Sequence, residues 1–266
     1  MPERQKEHTV VSIIQARMNS SRLPAKVLMP IAGYPMLSWV VERARMSQLT
    51  DKVWVATTTD PSDDAIAGYC ADQGYPHYRG SEQDVLDRFY QAAKLAKADI
   101  VVRLTADCPL IDPGLIDEVI MALIEEQADF AATRLPPPFH RTYPIGLDVE
   151  AVYFSGLEKA WQLSATQYQR EHVMPFFYEQ EGQFSVTILN AEEDKGDYRW
   201  TVDTAEDLQL VEQLAAAFGG RRNFSWQEVL AYFEVHPELH GINSAIIHKT
   251  FKDVDTRNNR NAESSQ

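Results

Sequence analysis

A basic loop follows the first apolar segment of the chain, in the stretch SIIQARMNSSRLPAK. It carries Arg17, Arg22 and Lys26, and the residues between them add hydroxyl and amide donors. No Asp or Glu occurs from His8 to Val41, although the average density of acids in the chain predicts about five. Guanidinium and ammonium groups bind phosphate through charge-assisted hydrogen bonds. The loop therefore predicts a site for a small polyphosphate; a solvated surface loop is the alternative.

Two aspartates that follow strand-like segments are candidate metal ligands. Asp107 ends the sequence LTAD, at the carboxyl end of a predicted strand, where open α/β sheets bind their ligands. A carboxylate beside a phosphate loop suits a hard cation such as Mg²⁺, and a turn or cap aspartate is the alternative. Asp203 lies at a second strand-to-helix junction, but Thr204 and Asp207 have the spacing of a helix cap. Asp203 is then either a second metal ligand or a neighbour of that cap.

Several common active-site motifs are missing from the sequence. There is no Walker A spacing, no G-x-G-x-x-G fingerprint, no G-x-S-x-G turn and no zinc-type cysteine pair. This pattern favours phosphoryl chemistry in which one substrate attacks another and the protein supplies position and charge.

A second acid-free run extends from Phe130 to Leu147 and contains Arg134, His140 and Arg141. It is a candidate for binding an anionic second substrate. Basic loops of this length are also common without any such role.

Short β-rich runs alternate with amphipathic segments through the first half of the chain. The predicted strands are Thr9–Ile14, Val53–Thr58 and Asp99–Leu104; the predicted helices are Met36–Met46, Asp63–Gln73 and Glu82–Ala96, with Ser62 and Ser81 as N-caps and Gly74 as a stop. This alternation predicts an α/β fold, a doubly wound and mostly parallel sheet with helices on both faces.

The second half has a different texture, with a proline-rich loop after Asp129. Strands are predicted at Leu147–Tyr153, Phe184–Leu189 and Tyr198–Val202, and helices at Gly156–Leu163, Arg170–Glu179, Ala205–Phe218 and Trp226–Phe233. We expect disorder in residues 1–8, a single domain over residues 9–250 with an acceptor-side segment at about 130–200, and a polar tail over residues 251–266.

The bulk composition excludes some classes of partner. A net charge of −14 and a pI near 4.9 argue against a general nucleic-acid or anionic-membrane surface. The start, MPERQKEH, has no apolar core of a signal peptide, and no apolar run reaches the roughly 20 residues of a membrane span. Cys70 and Cys108 do not form a metal-type pair and are expected to be reduced thiols. The sequence predicts a soluble, cytoplasmic protein.

Six ordered motifs resemble the spore-coat polysaccharide cytidylyltransferases of the SpsF type, relatives of the CMP-sialic acid and CMP-KDO synthetases. The motifs are IIQARMNSSRLPAKVLMPIAGYPML, RGSEQDVLDRF, VVRLTADCPLIDP, YPIGLDVE, REHVMPFFY and RWTVDTAEDL. The resemblance implies a nucleotide-diphospho-sugar transferase fold. It also implies Mg²⁺-dependent transfer of CMP from CTP, with release of pyrophosphate.

The resemblance assigns roles to individual residues. It makes Arg17, Lys26 and Asp107 catalytic and Asp107 and Asp203 the metal ligands. The nucleotide would contact Gln15, Ala16, Arg17, Arg22, Lys26, Gly80, Ser81, Asp84 and Ala106, and the acceptor would contact Arg141, Asp148, Glu171 and His172.

The acceptor implied by the polysaccharide context is an acidic sugar of the nonulosonate type. A phosphorylated small acid or a phosphonate is an alternative, because either would suit a basic loop. A sugar transferase using a nucleotide-sugar donor and a non-catalytic nucleotide-binding protein are further alternatives. A homodimer is expected from the relatives alone.

Overall fold

The computed structural model describes residues 8–136, 140–180 and 182–247. The strands are β1 Val10–Gln15, β2 Pro30–Ile31, β3 Tyr34–Pro35, β4 Lys52–Thr58, β5 His77–Gly80, β6 Ile100–Thr105, β7 Phe130–Ala132, β8 Glu150–Tyr153 and β9 Val186–Ile188. The helices are α1 Met36–Ala44, α2 Asp64–Asp72, α3 Val85–Ala96, α4 Pro113–Glu125, α5 Phe154–Leu163, α6 Gln167–His172, α7 Pro175–Tyr178, α8 Ala205–Ala217, α9 Trp226–Val235 and α10 His240–Asn243. Apart from His8, the two terminal segments predicted to be disordered lie outside the described residues.

Seven strands form one sheet in the order β5-β4-β1-β6-β8-β7-β9. β5, β4, β1 and β6 are mutually parallel, β8 runs antiparallel to both β6 and β7, and β9 is parallel to β7. β2 and β3 form a separate two-stranded ribbon. The predicted doubly wound and mostly parallel sheet is confirmed, with β8 as its one reversed strand.

Helices cover both faces of the sheet because alternate strand residues point to opposite sides. In β1, Val10 and Ile14 pack into a core beneath α1, α2, α4 and α8. Val11 and Ile13 pack into the opposite core, beneath α3, α5 and α7. No helix among the described residues is long and apolar enough to cross a lipid bilayer.

The predicted strand at Tyr198–Val202 is wrong. Its backbone bonds to loops instead of a strand edge, since Trp200 N–H donates to Ile145 and Val202 N–H donates to Asp107, at 2.7 and 2.8 Å. The buried ring of Trp200 produced the apolar pattern that suggested a strand.

The predicted helix at Arg170–Glu179 is two helices, α6 and α7. They are separated at Val173, which has a left-handed φ of 68°, and Pro175 cannot continue the preceding helix. The structure also contains β5, α4 and β7, which the sequence patterns did not predict.

The predicted N-caps Ser62 and Ser81 are also wrong. α3 begins three residues later than predicted, and Asp84 caps it by accepting from the N–H of Asp87. The segment before α2 is a three-residue 3₁₀ helix capped by Asp60. The predicted stop at Gly74 is confirmed by the end of α2 at Asp72.

Gly146 lies where two loops meet at the carboxyl edge of the sheet. Its φ is +109°, and a Cβ placed on it would lie 2.6 Å from the backbone nitrogen of Thr201. The atoms that this Cβ would meet belong to the backbone of Trp200 and Thr201, not to a flexible side chain. They cannot easily move aside, because the N–H of Trp200 donates to the carbonyl of Ile145. Gly146 therefore fixes the loop that precedes Asp203.

Gly146→Ala is expected to lower the free energy of unfolding by roughly 3 kcal/mol or more, since backbone strain and a backbone collision add. Gly74→Ala is the matched control, with φ +66° and open space around its Cβ, and is expected to cost roughly 1 kcal/mol. Urea unfolding of both variants measures the difference. Equal losses would contradict the collision at Gly146.

Candidate active site

The basic loop leaves the sheet between two parallel strands. Gln15, the last residue of β1, is paired with Thr105 of β6. The next residue, Ala16, donates its N–H to Ala56 in β4, and Ala106 donates its N–H to Gln15, each at 3.0 Å. The loop and the residues after β6 thus start side by side at the carboxyl edge, as parallel strand pairing requires.

A cleft of about 280 Å³ opens at this edge. It is lined by the basic loop, by β6 and the segment after it, by the segment before α8, and by α3 and α6. The predicted site residues that line it are Gln15, Ala16, Arg17, Arg22, Lys26, Ala106, Asp107, Glu171, His172 and Asp203. The fold brings these ten together from four separate segments.

Lys26 joins the two predicted metal ligands at the floor of the cleft. Its ammonium donates to Asp107 Oδ2 at 2.7 Å, Asp203 Oδ1 at 2.8 Å and the carbonyl of Val202 at 2.8 Å. These three bonds use all three ammonium hydrogens. Burial alone would lower the pKa of Lys26, but the two carboxylates outweigh it and raise that pKa above its ordinary value. Lys26 is therefore a fixed positive charge that holds Asp107 and Asp203 together.

Asp203 receives cations on both of its oxygens. Oδ1 binds Lys26, and Oδ2 lies 2.9 Å from Arg22 and 2.8 Å from Arg199. Burial raises the pKa of Asp203, but Lys26, Arg22 and Arg199 outweigh it and lower that pKa to about 2. The predicted cap at Thr204 is confirmed as a capping box with Asp207, and Asp203 beside it faces the cleft.

The cations of the basic loop differ in what balances them. Lys26 and Arg22 pair with carboxylates that lie far away in sequence. Arg17 is exposed and makes no ion pair within the part of the chain that the structure describes. The acid-free stretch is thus balanced in space at Lys26 and Arg22, whereas Arg17 lines the cleft with its charge unpaired in the described structure.

Three residues predicted to contact the nucleotide do not line the cleft. Gly80 lies against the stem of Arg88, and the Ser81 hydroxyl accepts from the N–H groups of Gln83 and Asp84. Asp84 caps α3 and forms an ion pair with Arg170 of α6 at 3.4 Å. These contacts join α3 to α6 and so position one wall of the cleft.

A second cavity, of about 170 Å³, adjoins the cleft and shares Arg103, Thr105, Asp107 and Asp203 with it. Asp148 lines this cavity. Arg141 is not among the lining residues, but its Nη1 lies 2.7 Å from Asp148 Oδ1.

The cations of the second basic run are largely paired within the fold. Arg134 lies 3.1 Å from Asp148, and His140 lies 2.6 Å from Asp194. Burial raises the pKa of Asp148, but Arg134 and Arg141 hold it well below its ordinary value. This run therefore brings less uncompensated positive charge than its sequence suggests.

The comparisons with known proteins bear on this geometry. A cytidylyltransferase family model matches residues 11–234, which is most of the chain. The chain belongs to the cytidylyltransferase family. The spore coat polysaccharide biosynthesis protein SpsF of Bacillus subtilis is 32% identical over 236 residues, covering 86% of this chain and 95% of SpsF.

Solved structures agree with the family and the fold. A cytidylyltransferase from Leptospira borgpetersenii is 32% identical, with a TM-score of 0.82 over 91% of this chain and 99% of its own. A CMP-KDO synthetase complexed with CTP is 23% identical, with a TM-score of 0.59 over 79% of this chain and 99% of its own, and shows the shared fold. The predicted family and nucleotide-diphospho-sugar transferase fold are confirmed, and the protein is a CTP-dependent nucleotidyltransferase.

Sequence reasoning missed five residues that line the cleft of this cytidylyltransferase: Val27, Val85, Arg88, Arg103 and Thr105. The sequence did contain a signal for Arg88. It lies three residues after Val85 and four before Ala92, on the buried face of α3. A charged residue on the apolar face of a helix marks either a buried ion pair or a ligand site.

The ionisation of Asp203 predicts a pH dependence of stability. Its folded pKa of about 2 is below the ordinary 3.8, so the contribution is fully present above pH 3.8 and is lost as the pH falls through 2. The contribution is about 2 kcal/mol. Urea unfolding between pH 7 and pH 3 should show the advantage of wild type over Asp203→Asn shrinking below about pH 4. A constant difference would contradict the cation cluster around Asp203.

Proposed function

We propose that this cytidylyltransferase transfers CMP from CTP to an acidic sugar of the nonulosonate type, with release of pyrophosphate, in a Mg²⁺-dependent reaction. The observation that carries the proposal is the Lys26–Asp107–Asp203 cluster at the floor of the cleft. The name of the SpsF relative supports a role in surface polysaccharide or glycoconjugate synthesis. The CTP bound to the CMP-KDO synthetase of the same fold supports CTP as the donor.

Asp107 and Asp203 fit a divalent metal ion. Their carboxylates converge on one point, the ammonium of Lys26, at 2.7 and 2.8 Å. Within the described ranges, no group of three or more His, Cys, Asp or Glu side chains is placed to hold a metal. Two carboxylates suit Mg²⁺, which binds through one or two carboxylates and completes its shell with substrate phosphates and water. When bound, the ion would neutralise charge that develops on the phosphates.

The reaction exchanges one bond at the α-phosphorus of CTP for another. An acceptor oxygen forms a bond to the α-phosphorus, while the bond from that phosphorus to the oxygen shared with the β-phosphorus breaks and pyrophosphate leaves with the electron pair. Arg17 offers an uncompensated charge to the triphosphate, and Lys26 keeps Asp107 and Asp203 in place. A hydroxyl acceptor loses its proton to a base, whereas a phosphate or phosphonate acceptor is already anionic.

The second cavity supports an acidic acceptor. It opens beside Asp107 and is lined by Arg103 and Arg134. Arg103 pairs with Glu150, and Arg134 Nε lies 3.1 Å from Asp148 Oδ2, so both guanidiniums are largely neutralised by carboxylates. Arg103 Nε is buried without a hydrogen-bond partner among the described residues and can donate to a ligand oxygen. This arrangement favours a sugar carboxylate over a doubly charged phosphate. We also propose a cytoplasmic location. We further propose that the protein is a homodimer, which analytical ultracentrifugation would test.

Pyrophosphate release measured with CTP, ATP, GTP and UTP should require CTP, Mg²⁺ and an acceptor. A panel of nonulosonic acids, sugar phosphates and phosphonates then identifies the acceptor class, and we expect turnover with a nonulosonic acid. Turnover with a phosphonate alone would contradict the acidic-sugar proposal. Sugar transfer from a nucleotide-sugar without CTP would contradict the reaction itself.

Asp107→Asn is expected to lower kcat by roughly 10²–10³-fold, because it removes one of the two carboxylates that would hold the metal ion and a charged partner of Lys26. Asp99→Asn is the matched control. Asp99 lies at the other end of β6, where its carboxylate accepts from the N–H of Thr9 at 2.7 Å. Its effect on kcat should stay within about twofold. Equal activities of the two variants would remove Asp107 from the mechanism.

A further inference from the structure

Arg88 is a buried arginine whose donors are not satisfied by the protein. Only 3% of the residue is exposed, and Nε and Nη1 are buried without a hydrogen-bond partner in the described ranges of the chain. It lines the cleft beside the basic loop. A buried charge without a partner is costly, and folded proteins rarely keep one unless a ligand completes it.

No carboxylate forms an ion pair with Arg88. Within the residues that the structure describes, no acid lies within 4.0 Å of its guanidinium nitrogens. Asp63 is bound to the backbone of Met18 and to Thr58, while Asp84 is committed to the α3 cap and to Arg170. Glu82 is the third acid whose charge acts on Arg88, and it too stays beyond ion-pair distance in the described structure.

Arg17 adds a second positive charge next to Arg88. Burial, and after it the charge of Arg17, lower the pKa of Arg88 to about 10. Two guanidiniums that repel each other in a cleft form a receptor for an anion placed between them.

The stem of Arg88 is held against β5. A Cβ on Gly80 would lie 2.7 Å from Arg88 Cγ and 2.9 Å from the ring of Tyr78. The absence of a side chain at Gly80 therefore makes room for this stem. The guanidinium is pre-positioned at the cleft, which reduces the entropy lost when a ligand binds.

Arg43 shows what a structural arginine looks like in the same chain. It is fully buried, and burial lowers its pKa to about 10 as well. Its Nε donates to Ile111 at 2.6 Å, its Nη2 donates to Phe224 at 3.0 Å, and its Nη1 donates to Arg222. The two arginines share their burial but differ in whether the protein satisfies them.

We infer that Arg88 is a nucleotide-binding residue that, with Arg17, contacts a phosphate of the CTP triphosphate. The inference rests on the proposed function, since it takes CTP to be the donor. A phosphate fits better than the cytosine ring because a neutral base would leave both charges unbalanced. The nucleotide fits better than the acceptor because Arg88 lines the cleft together with Arg17 of the basic loop, the segment that the proposed function assigns to the triphosphate, and does not line the second cavity.

The test compares Arg88→Met with Arg43→Met, using calorimetric titration with CTP, cytidine and pyrophosphate at a fixed Mg²⁺ concentration. We expect Arg88→Met to weaken CTP and pyrophosphate by roughly 10- to 100-fold and to leave cytidine within about twofold. Without ligand, its Tm should stay the same or rise, because an uncompensated buried charge is removed. Arg43→Met should lower the Tm and leave CTP affinity unchanged.

Other results would overturn the inference. Equal losses for cytidine and CTP would place Arg88 at the base. Unchanged CTP affinity with a raised KM for the acceptor would place it at the acceptor. A lowered Tm with unchanged CTP affinity would make it structural, and Arg88→Gln repeats the measurement if the Met variant does not fold. Failure of wild type itself to bind CTP would instead overturn the proposed function.

Discussion

The ammonium of Lys26 is the contact on which the site depends. Two aspartates that face each other in a half-buried cleft would repel each other without a positive charge between them. Lys26 removes that conflict by binding Asp107, Asp203 and the backbone of Val202 at once. Asp107 lies 81 residues after Lys26 in the sequence, and Val202 and Asp203 lie 176 and 177 residues after it. One side chain therefore joins the loop after β1, the loop after β6 and the start of α8.

The segment that carries Asp203 is fixed by a second layer of charges. Arg199 binds Asp203 and the fully buried Asp207, at 2.8 and 2.9 Å. Asp207 also accepts from Asn243 of α10 at 2.8 Å. α10, which no sequence motif linked to chemistry, thereby helps to hold one of the two carboxylates that face the cleft. Removing either partner of such a buried pair would leave an uncompensated charge.

The fold was more predictable than the site. Alternation of apolar strands and amphipathic helices indicated the sheet because both faces of β1 are buried, while Tyr198–Val202 misled because a buried loop and a strand share the same apolar pattern. The acid-free stretch does line a cleft at the carboxyl edge of the sheet, but counting charges along the chain could not show that Lys26 and Arg22 pair with Asp107 and Asp203. Those pairings exist only after parallel strands bring their carboxyl ends together.

The cations of the cleft consequently fall into two groups. Lys26, Arg22 and Arg199 are neutralised by carboxylates and shape the site. Arg17 and Arg88 lack such partners within the described structure and leave net positive charge facing the cleft. A protein with a net charge of −14 repels a triphosphate at long range, so local positive charge must overcome that repulsion at the site. Arg17 and Arg88 supply that local positive charge, because the carboxylates beside them are already neutralised by Lys26, Arg22 and Arg199.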